Sequence, residues 1–364
     1  MMRIAILGGG IVGASIAYHL ARQGARITLV EQSAPASGAT DKSFGWINAN
    51  FAETPEYYRL RRAAIDAYQA LAPHLPEAVD LQWGGSLWWE DTGADLLAHA
   101  QIQQNFGYDA EIVDQATFRD LEPEVAQPPD ACIHARAEGS VDTLKLTQWL
   151  LEQAAANGAH LLFGCTATGI LKNRGRAVGL QTSTGDIRAD RVVVAAGAWG
   201  QTFLAAHGVH LPMDNRGGLI MHTQPVRRVI KHLILSPEIH FRQCADGRLI
   251  VGEIFGGDRN NSLGVAADPV ALAENILARL KAKLPGVDGL AIARIMTGTR
   301  PVPADGLPVV GPSPEMPGLY LASMHSGITL APLVGRLAAA EILGQEKSDL
   351  LDSFRPSRFV KSTL

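Results

Sequence analysis

The sequence predicts an α/β fold in two parts: a parallel sheet flanked by helices, and a second domain on a mainly antiparallel sheet. Three observations carry that expectation. Residues 3–31 read as strand, glycine turn, helix and strand; residues 190–200 return to a short buried strand after a long excursion; and residues 211–256 switch to strand-like segments. Parallel strands covered on both faces read as short continuous apolar runs, whereas antiparallel strands alternate.

The 364 residues suffice for two domains with sizeable cores. A formal net charge of −4 and a pI near 6.3 leave no electrostatic footprint for nucleic acid. Cys132, Cys165 and Cys244 are widely spaced and lack a metal-ligand pattern, so they read as reduced structural thiols. No apolar run reaches membrane-spanning length, and the first strand begins too early for a signal peptide. A cytoplasmic protein is therefore expected, with peripheral membrane contact left open.

In the first segment, Ile4, Ala5, Ile6 and Leu7 form a buried strand that ends on Gly8, Gly10 and Gly13, a G-x-G-x-x-G turn. Gly8 permits the tight turn, Gly10 lets backbone approach a pyrophosphate, and Gly13 lets the helix begun by Ile11 and Val12 pack on the strand. That helix stops at Gly24. A second strand, residues 26–30, delivers Glu31 eighteen residues after Gly13, placed to accept hydrogen bonds from an adenosine ribose. Together these predict a Rossmann-like dinucleotide site; a chance glycine turn is the alternative.

A small-residue loop follows, from Gln32 and Ser33 through Thr40 to Lys42, Ser43 and Asn48. Lying beside the C-terminal ends of parallel strands, it extends the ligand track. Residues 54–75 read as a helix with Thr54 as cap, 81–90 as a strand with a glycine bulge, 93–106 as a helix, and 121–130 as a proline-rich acidic linker.

Further along, a helix is expected over 143–157, a strand over 160–163, and hairpin strands over 176–182 and 186–190. Val192–Val194 re-enters the parallel sheet, bringing Ala196 and Gly197 to the same ligand. Strands over 219–223, 238–243 and 248–253 make the antiparallel sheet, with His240 and Arg242 on one face. A solvated or core-satisfied histidine is the plainer reading of His240. A helix covers 269–284, residues 297–311 and 318–332 form two further glycine-rich turns, the second including a short buried strand at Leu319–Ala322, and an apolar helix runs from 330 to 343. Free amides of Gly327, Ile328 and Thr329 would face an electron-rich group such as a flavin pyrimidine.

With these turns placed, the chain resembles the D-amino-acid oxidase family of FAD-dependent oxidoreductases, which includes glycine oxidase, sarcosine oxidase and D-amino-acid dehydrogenase. The likeness rests on Gly8–Gly13 with Glu31, residues 37–43, Arg191–Trp199, Gly298-Thr-Arg-Pro301 with Asp305-Gly306, and residues 325–332. It implies FAD with its pyrophosphate on Gly8, Gly10 and Gly13 and its ribose on Glu31. Ala167 is implied beside the adenine, and Lys42, Ser43, Gly45 and Trp46 beside the isoalloxazine. Ile11, Val12, Gln32, Ser33, Thr40, Ala196, Gly197, Trp199 and Gly298 complete the implied cofactor set. Arg300, in G-x-R-P, is implied to bind the substrate carboxylate, a structural ion pair being the alternative.

Two departures stand out. His325 replaces an arginine of glycine oxidases, and no cysteine lies near residues 297–300, which implies noncovalent FAD. The resemblance implies oxidation of a small amino or imino acid by hydride transfer to the flavin, with Arg300 fixing the carboxylate; His240, His325 and Asn48 are candidates for polar contacts to the amine or a second carboxylate. His325 is also a candidate for favouring a negatively charged reduced flavin. The acceptor is O2 or a quinone, the latter with a partner chain; a nicotinamide dehydrogenase would leave the turns after Val194 and Ser323 without a ligand. The proposed domains are 1–80, 141–212 and 296–364 for FAD, and 81–140 and 213–295 for substrate. Monomer or homo-oligomer stays open.

Overall fold

The computed structural model describes residues 1–52, 54–253, 268–345 and 347–360. A six-stranded sheet runs in the order Val309–Pro312, Leu319–Ser323, Arg191–Val194, Arg3–Leu7, Arg26–Val30 and His160–Leu162. All neighbours are parallel except the Val309–Pro312 edge strand. Leu7 stands level with both Val30 and Val194, so the strands end along one line, where ligands bind in open α/β sheets.

Strand alternation divides the apolar runs between two cores. Ile4, Ile6 and Val193 face the helices Ile11–Arg22, Thr143–Ala156 and Gly327–Ile342; Ala5, Leu7, Val192 and Val194 face the meander Ala167–Asn173, Arg176–Thr182, Gly185–Arg188. The first and last of these helices pack so closely that a Cβ on Gly335 would stand 2.1 Å from Ser15 Oγ. Pro332 sits inside the last helix and has no N–H for the carbonyl of Ile328; Tyr68 Oη donates to that oxygen at 2.7 Å.

The eight-stranded sheet has the order Ile292–Arg300, Arg216–Thr223, Leu249–Gly252, His240–Gln243, Leu233–Leu235, Ser86–Trp88, Ala131–Ala135 and Ala110–Asp114. Only the Leu233–Leu235 and Ser86–Trp88 pair is parallel. Its core gathers Leu87, Ile234, Phe241 and Val251 under the helix Pro269–Lys283, which Asp268 caps by accepting from Val270 and Ala271 N–H.

Several expectations shift. Residues 297–300 are not a turn but the end of the strand Ile292–Arg300, because Gly298 pairs across the sheet with Gly218. Of residues 81–90 only Ser86–Trp88 joins the large sheet, since Gly85 adopts φ +76° and breaks the run. The last helix begins at Gly327, one turn before residue 330. Strands Ala110–Asp114, Ala131–Ala135, Ala167–Asn173 and Leu233–Leu235 had no counterpart among the sequence expectations, and Val309–Pro312 begins within residues expected to be a turn. The remaining expected helices and strands agree to within a few residues. All three cysteines are buried and unbridged.

Candidate active site

A cavity of about 910 Å3 follows the line of strand ends from Gly8 and Glu31 to Arg300 and His325. At its first end Gly8 has φ +112°, and the helix Ile11–Arg22 opens on Gly10 with no side-chain cap. A Cβ on Gly13 would stand 2.0 Å from the Gly8 carbonyl oxygen, so Gly13 secures helix–strand contact while Gly8 and Gly10 edge the cavity. The Glu31 carboxylate accepts from Gly9 N–H at 2.8 Å and Ser33 N–H at 2.9 Å, which fixes it at the cavity wall. Thr40 Oγ1 accepts from Ile11 N–H at 3.1 Å, tying the small-residue loop to the first turn. An uncapped, glycine-edged helix start without a first-turn acid, next to a fixed carboxylate, fits the pyrophosphate and ribose of a dinucleotide such as FAD.

The middle of the cavity is framed by the residues 42–48 loop. Lys42 Nζ donates to Ser37 O at 2.8 Å, and the Lys42 stem fills the space beside Gly298. Gly45 lies off the cavity at φ +79°: a Cβ there would meet Val141 O at 2.4 Å and Arg242 Nη2 at 2.8 Å. Arg242 is itself buried and donates to Phe44 O and Val141 O at 2.6 and 2.9 Å, clamping the loop. Trp46 Nε1 donates to Glu138 at 2.7 Å, and Tyr108 Oη reaches the same carboxyl at 2.8 Å. Burial pushes the Glu138 carboxyl up to about 7.

Arg300 ends the strand Ile292–Arg300 and donates from Nη1 to Gly217 O at 2.9 Å. Burial, and then Arg216, lower its pKa. His325 is pushed down to about 4 by burial, with Arg300, Arg61 and Arg216 adding to the effect, so it is neutral at physiological pH. His240 is 4% exposed and pairs through Nε2 with Glu90, also on the cavity. Asn48 N–H donates to Thr329 Oγ1 at 3.3 Å, while its carbonyl and side-chain oxygens accept from Arg61.

Twenty-two of the residues singled out from sequence therefore line one cavity, among them Ile11, Val12, Gln32, Ser43, Ala167, Ala196, Gly197, Trp199, Ile328 and Thr329. Gly13, Gly45 and Gly298 stand just behind it, each leaving room for a neighbour. Arg61, Glu90, Glu138 and Arg242 had no assigned role. One signal pointed to Arg61: it falls on the stripe Tyr57, Arg61, Ala64, Tyr68 that the helix Pro55–Leu71 buries. For Glu138 no local signal exists.

The model of a family described as FAD dependent oxidoreductase, DAO, matches residues 3–341. Glycine oxidase of Geobacillus kaustophilus (strain HTA426) is 26% identical over 98% of this chain and 97% of its own length. A crystal structure of glycine oxidase from Geobacillus kaustophilus superposes with a TM-score of 0.87 at 26% identity, covering 99% of this chain and 100% of that one. Iminodiacetate oxidase from Chelativorans sp. BNC1 gives a TM-score of 0.82 at 25% identity over 97% and 99% of the two chains. An opine oxidase subunit of Agrobacterium tumefaciens (strain Ach5) is 25% identical over 97% of this chain and 96% of its own.

Proposed function

Because the chain belongs to the DAO family of FAD-dependent oxidoreductases, we propose that it oxidises the C–N bond of a small amino or imino acid, secondary amines such as sarcosine, iminodiacetate or proline included. The observation that carries this reading is the continuous cavity from the Gly8–Glu31 end to Arg300 and His325. Bound there, FAD supplies a hydride acceptor at N5 and passes the electrons to O2 with release of hydrogen peroxide.

The chain's own residues bind and orient the substrate. Arg300 holds the carboxylate; its guanidinium is aimed by Gly217 O and given room by Gly218, where a Cβ would lie 2.6 Å from Nη2. His325, being neutral, adds no charge there and offers a ring nitrogen. The His240–Glu90 pair and Asn48 face the substrate amine as hydrogen-bonding partners. Loss of the Cα hydrogen as hydride leaves a C=N bond, which water hydrolyses. An amine bound in its neutral form needs no dedicated base.

FAD is held noncovalently in this reading, since no cysteine lines the cavity among the described residues. The FAD-binding part is taken as 1–80, 141–212 and 301–364 and the substrate part as 81–140 and 213–300, the boundary expected at 296 moving to 301 because the strand Ile292–Arg300 pairs with Arg216–Thr223. No helix among the described residues is long and apolar enough to cross a membrane, in keeping with a proposed cytoplasmic location. The second reading, a flavoprotein subunit or quinone-linked dehydrogenase that needs a partner, is favoured by the likeness to a protein named as one subunit of an opine oxidase.

The visible spectrum of the purified protein tests both. Flavin bands that bleach anaerobically with one amino or imino acid and return in air support the oxidase. Bands that bleach but return only with a quinone select the dehydrogenase, and a colourless protein that binds NAD rejects the proposal.

A further inference from the structure

Arg61 is a buried cation surrounded by uncharged partners. It is 5% exposed, edges the cavity, and among the described residues donates only to Asn48, to Tyr57 Oη at 3.2 Å and to Ser326 Oγ at 3.0 Å. Ser326 immediately precedes the helix Gly327–Ile342, whose first turn has no side-chain cap and no acid. A guanidinium there adds to the positive end of a helix, the place where an anion is stabilising and a cation is not. Burying an ion in this way is costly unless a countercharge completes the site.

Among the described residues no acid provides that countercharge in full. Glu138 is the acid whose ionisation Arg61 favours, yet burial dominates and pushes that carboxyl up to about 7. Nor does His325, a candidate for favouring the reduced flavin, supply a cation, because it is neutral at physiological pH. Tyr57 Oη also meets Ser326 Oγ at 3.1 Å, so Arg61 is held rigidly against the helix start.

We propose that Arg61, hydrogen-bonded to Ser326 at the start of the helix Gly327–Ile342, neutralises the negative charge that reduction places on the flavin pyrimidine, and thereby sets the potential of the bound flavin. This rests on the FAD reading above. A hydride carries two electrons and one proton, so its arrival from the substrate carbon leaves one negative charge over N1 and the C2 carbonyl. Arg61 and the first-turn amides meet it with preformed positive charge, without reorganisation.

The test uses the full-length holoprotein. Sulfite, which adds to oxidised flavin and leaves the same charge, serves as the probe, and the midpoint potential is measured beside it. Arg61→Met and Arg61→Gln should bind sulfite about tenfold more weakly or worse, the potential falling by about 30 mV per tenfold for a two-electron couple. Arg61→Lys, which keeps the charge, should stay within about threefold of the parent.

Neutral variants that keep flavin, sulfite affinity and potential while KM rises would overturn the assignment, moving the guanidinium to a substrate carboxylate. If both neutral variants lose FAD, the parent protein decides: flavin that millimolar sulfite does not bleach overturns it. A parent chain that binds no FAD rejects the underlying reading instead.

Discussion

Arg300 occupies the space that a side chain on Gly218 would need: a Cβ there would stand 2.6 Å from Nη2 and 2.7 Å from Cζ. The two residues lie on paired strands, Gly218 opposite Gly298. Because the obstacle is the end of a flexible side chain, Gly218→Ala should move the guanidinium rather than unfold the protein. Misplacement by about 1 Å costs on the order of 10²-fold in kcat/KM when Arg300 holds the substrate. Kinetics and flavin absorbance measured together check this; unchanged KM in the alanine variant rejects it.

Removing the guanidinium altogether separates substrate binding from cofactor binding. Arg300→Ala should lose about 2 to 3 kcal/mol of transition-state binding, close to 10²-fold in kcat/KM, the range of a hydrogen bond to a charged group. Its FAD content should stay near that of the parent. A variant that turns over normally would return Arg300 to a structural role.

Gly13 tolerates no side chain at all, because a Cβ would meet Gly8 backbone oxygen at 2.0 Å. Backbone cannot rotate aside, so Gly13→Ala should cost about 1–3 kcal/mol or more and separate the helix start from the turn it completes. Thermal melts with and without added FAD are the check. The expected result is a lower Tm that FAD no longer raises.

Acid should destabilise the fold before the carboxylates of the surface titrate. His19, His134, His222 and His325 are each held down to about 4 from 6.5, with burial as the largest cause. Their contribution is complete above pH 6.5 and is lost as pH falls toward 4, because the unfolded chain takes up those protons first. Glu138 acts in the opposite sense: its carboxyl, raised from 4.5 to about 7, favours folding at low pH and loses that advantage as pH rises through the same window. Four histidines outweigh one acid, so Tm should fall between pH 7 and pH 5, and His222→Gln should flatten the fall. A Tm that is flat or rises over this interval contradicts the balance.

Glu138→Leu should damage the cavity from behind. It leaves Trp46 Nε1 and Tyr108 Oη without the acceptor they now reach at 2.7 and 2.8 Å. Each unsatisfied donor costs about 1–3 kcal/mol. Glu138→Gln keeps one acceptor oxygen for the two donors and should recover about half of that loss. Equal melting temperatures for the leucine and glutamine variants would show that the carboxyl does not matter.

The nucleotide end was legible in sequence because its contacts are close along the chain. Gly13 meets Gly8 and Glu31 meets Gly9 within a single strand–turn–helix–strand unit, and the glycine spacing itself states which backbone atoms must approach. The misread stretches have a shared cause. Gly298 looked like a turn residue because glycine marks turns in isolation; paired with Gly218 and backed by Lys42 it belongs to a strand. Gly45 looked like a ligand contact and instead clears the way for Arg242.

Period, glycine spacing and the acid at the end of the second strand by themselves determined the fold class, the parallel sheet and the nucleotide end of the cavity; Arg300 became the candidate for the substrate carboxylate only through the G-x-R-P resemblance. Only the tertiary structure decided that Arg61, from the helix Pro55–Leu71, meets Ser326, that Glu138 stands behind Trp46, and that His325 is neutral among arginines. Apolar pattern encodes how much surface an element buries. A buried polar side chain is defined by the partner it meets, and such partners come from segments as far as 265 residues away for Arg61 and 316 for Ser15, joined only when the sheets and helices pack.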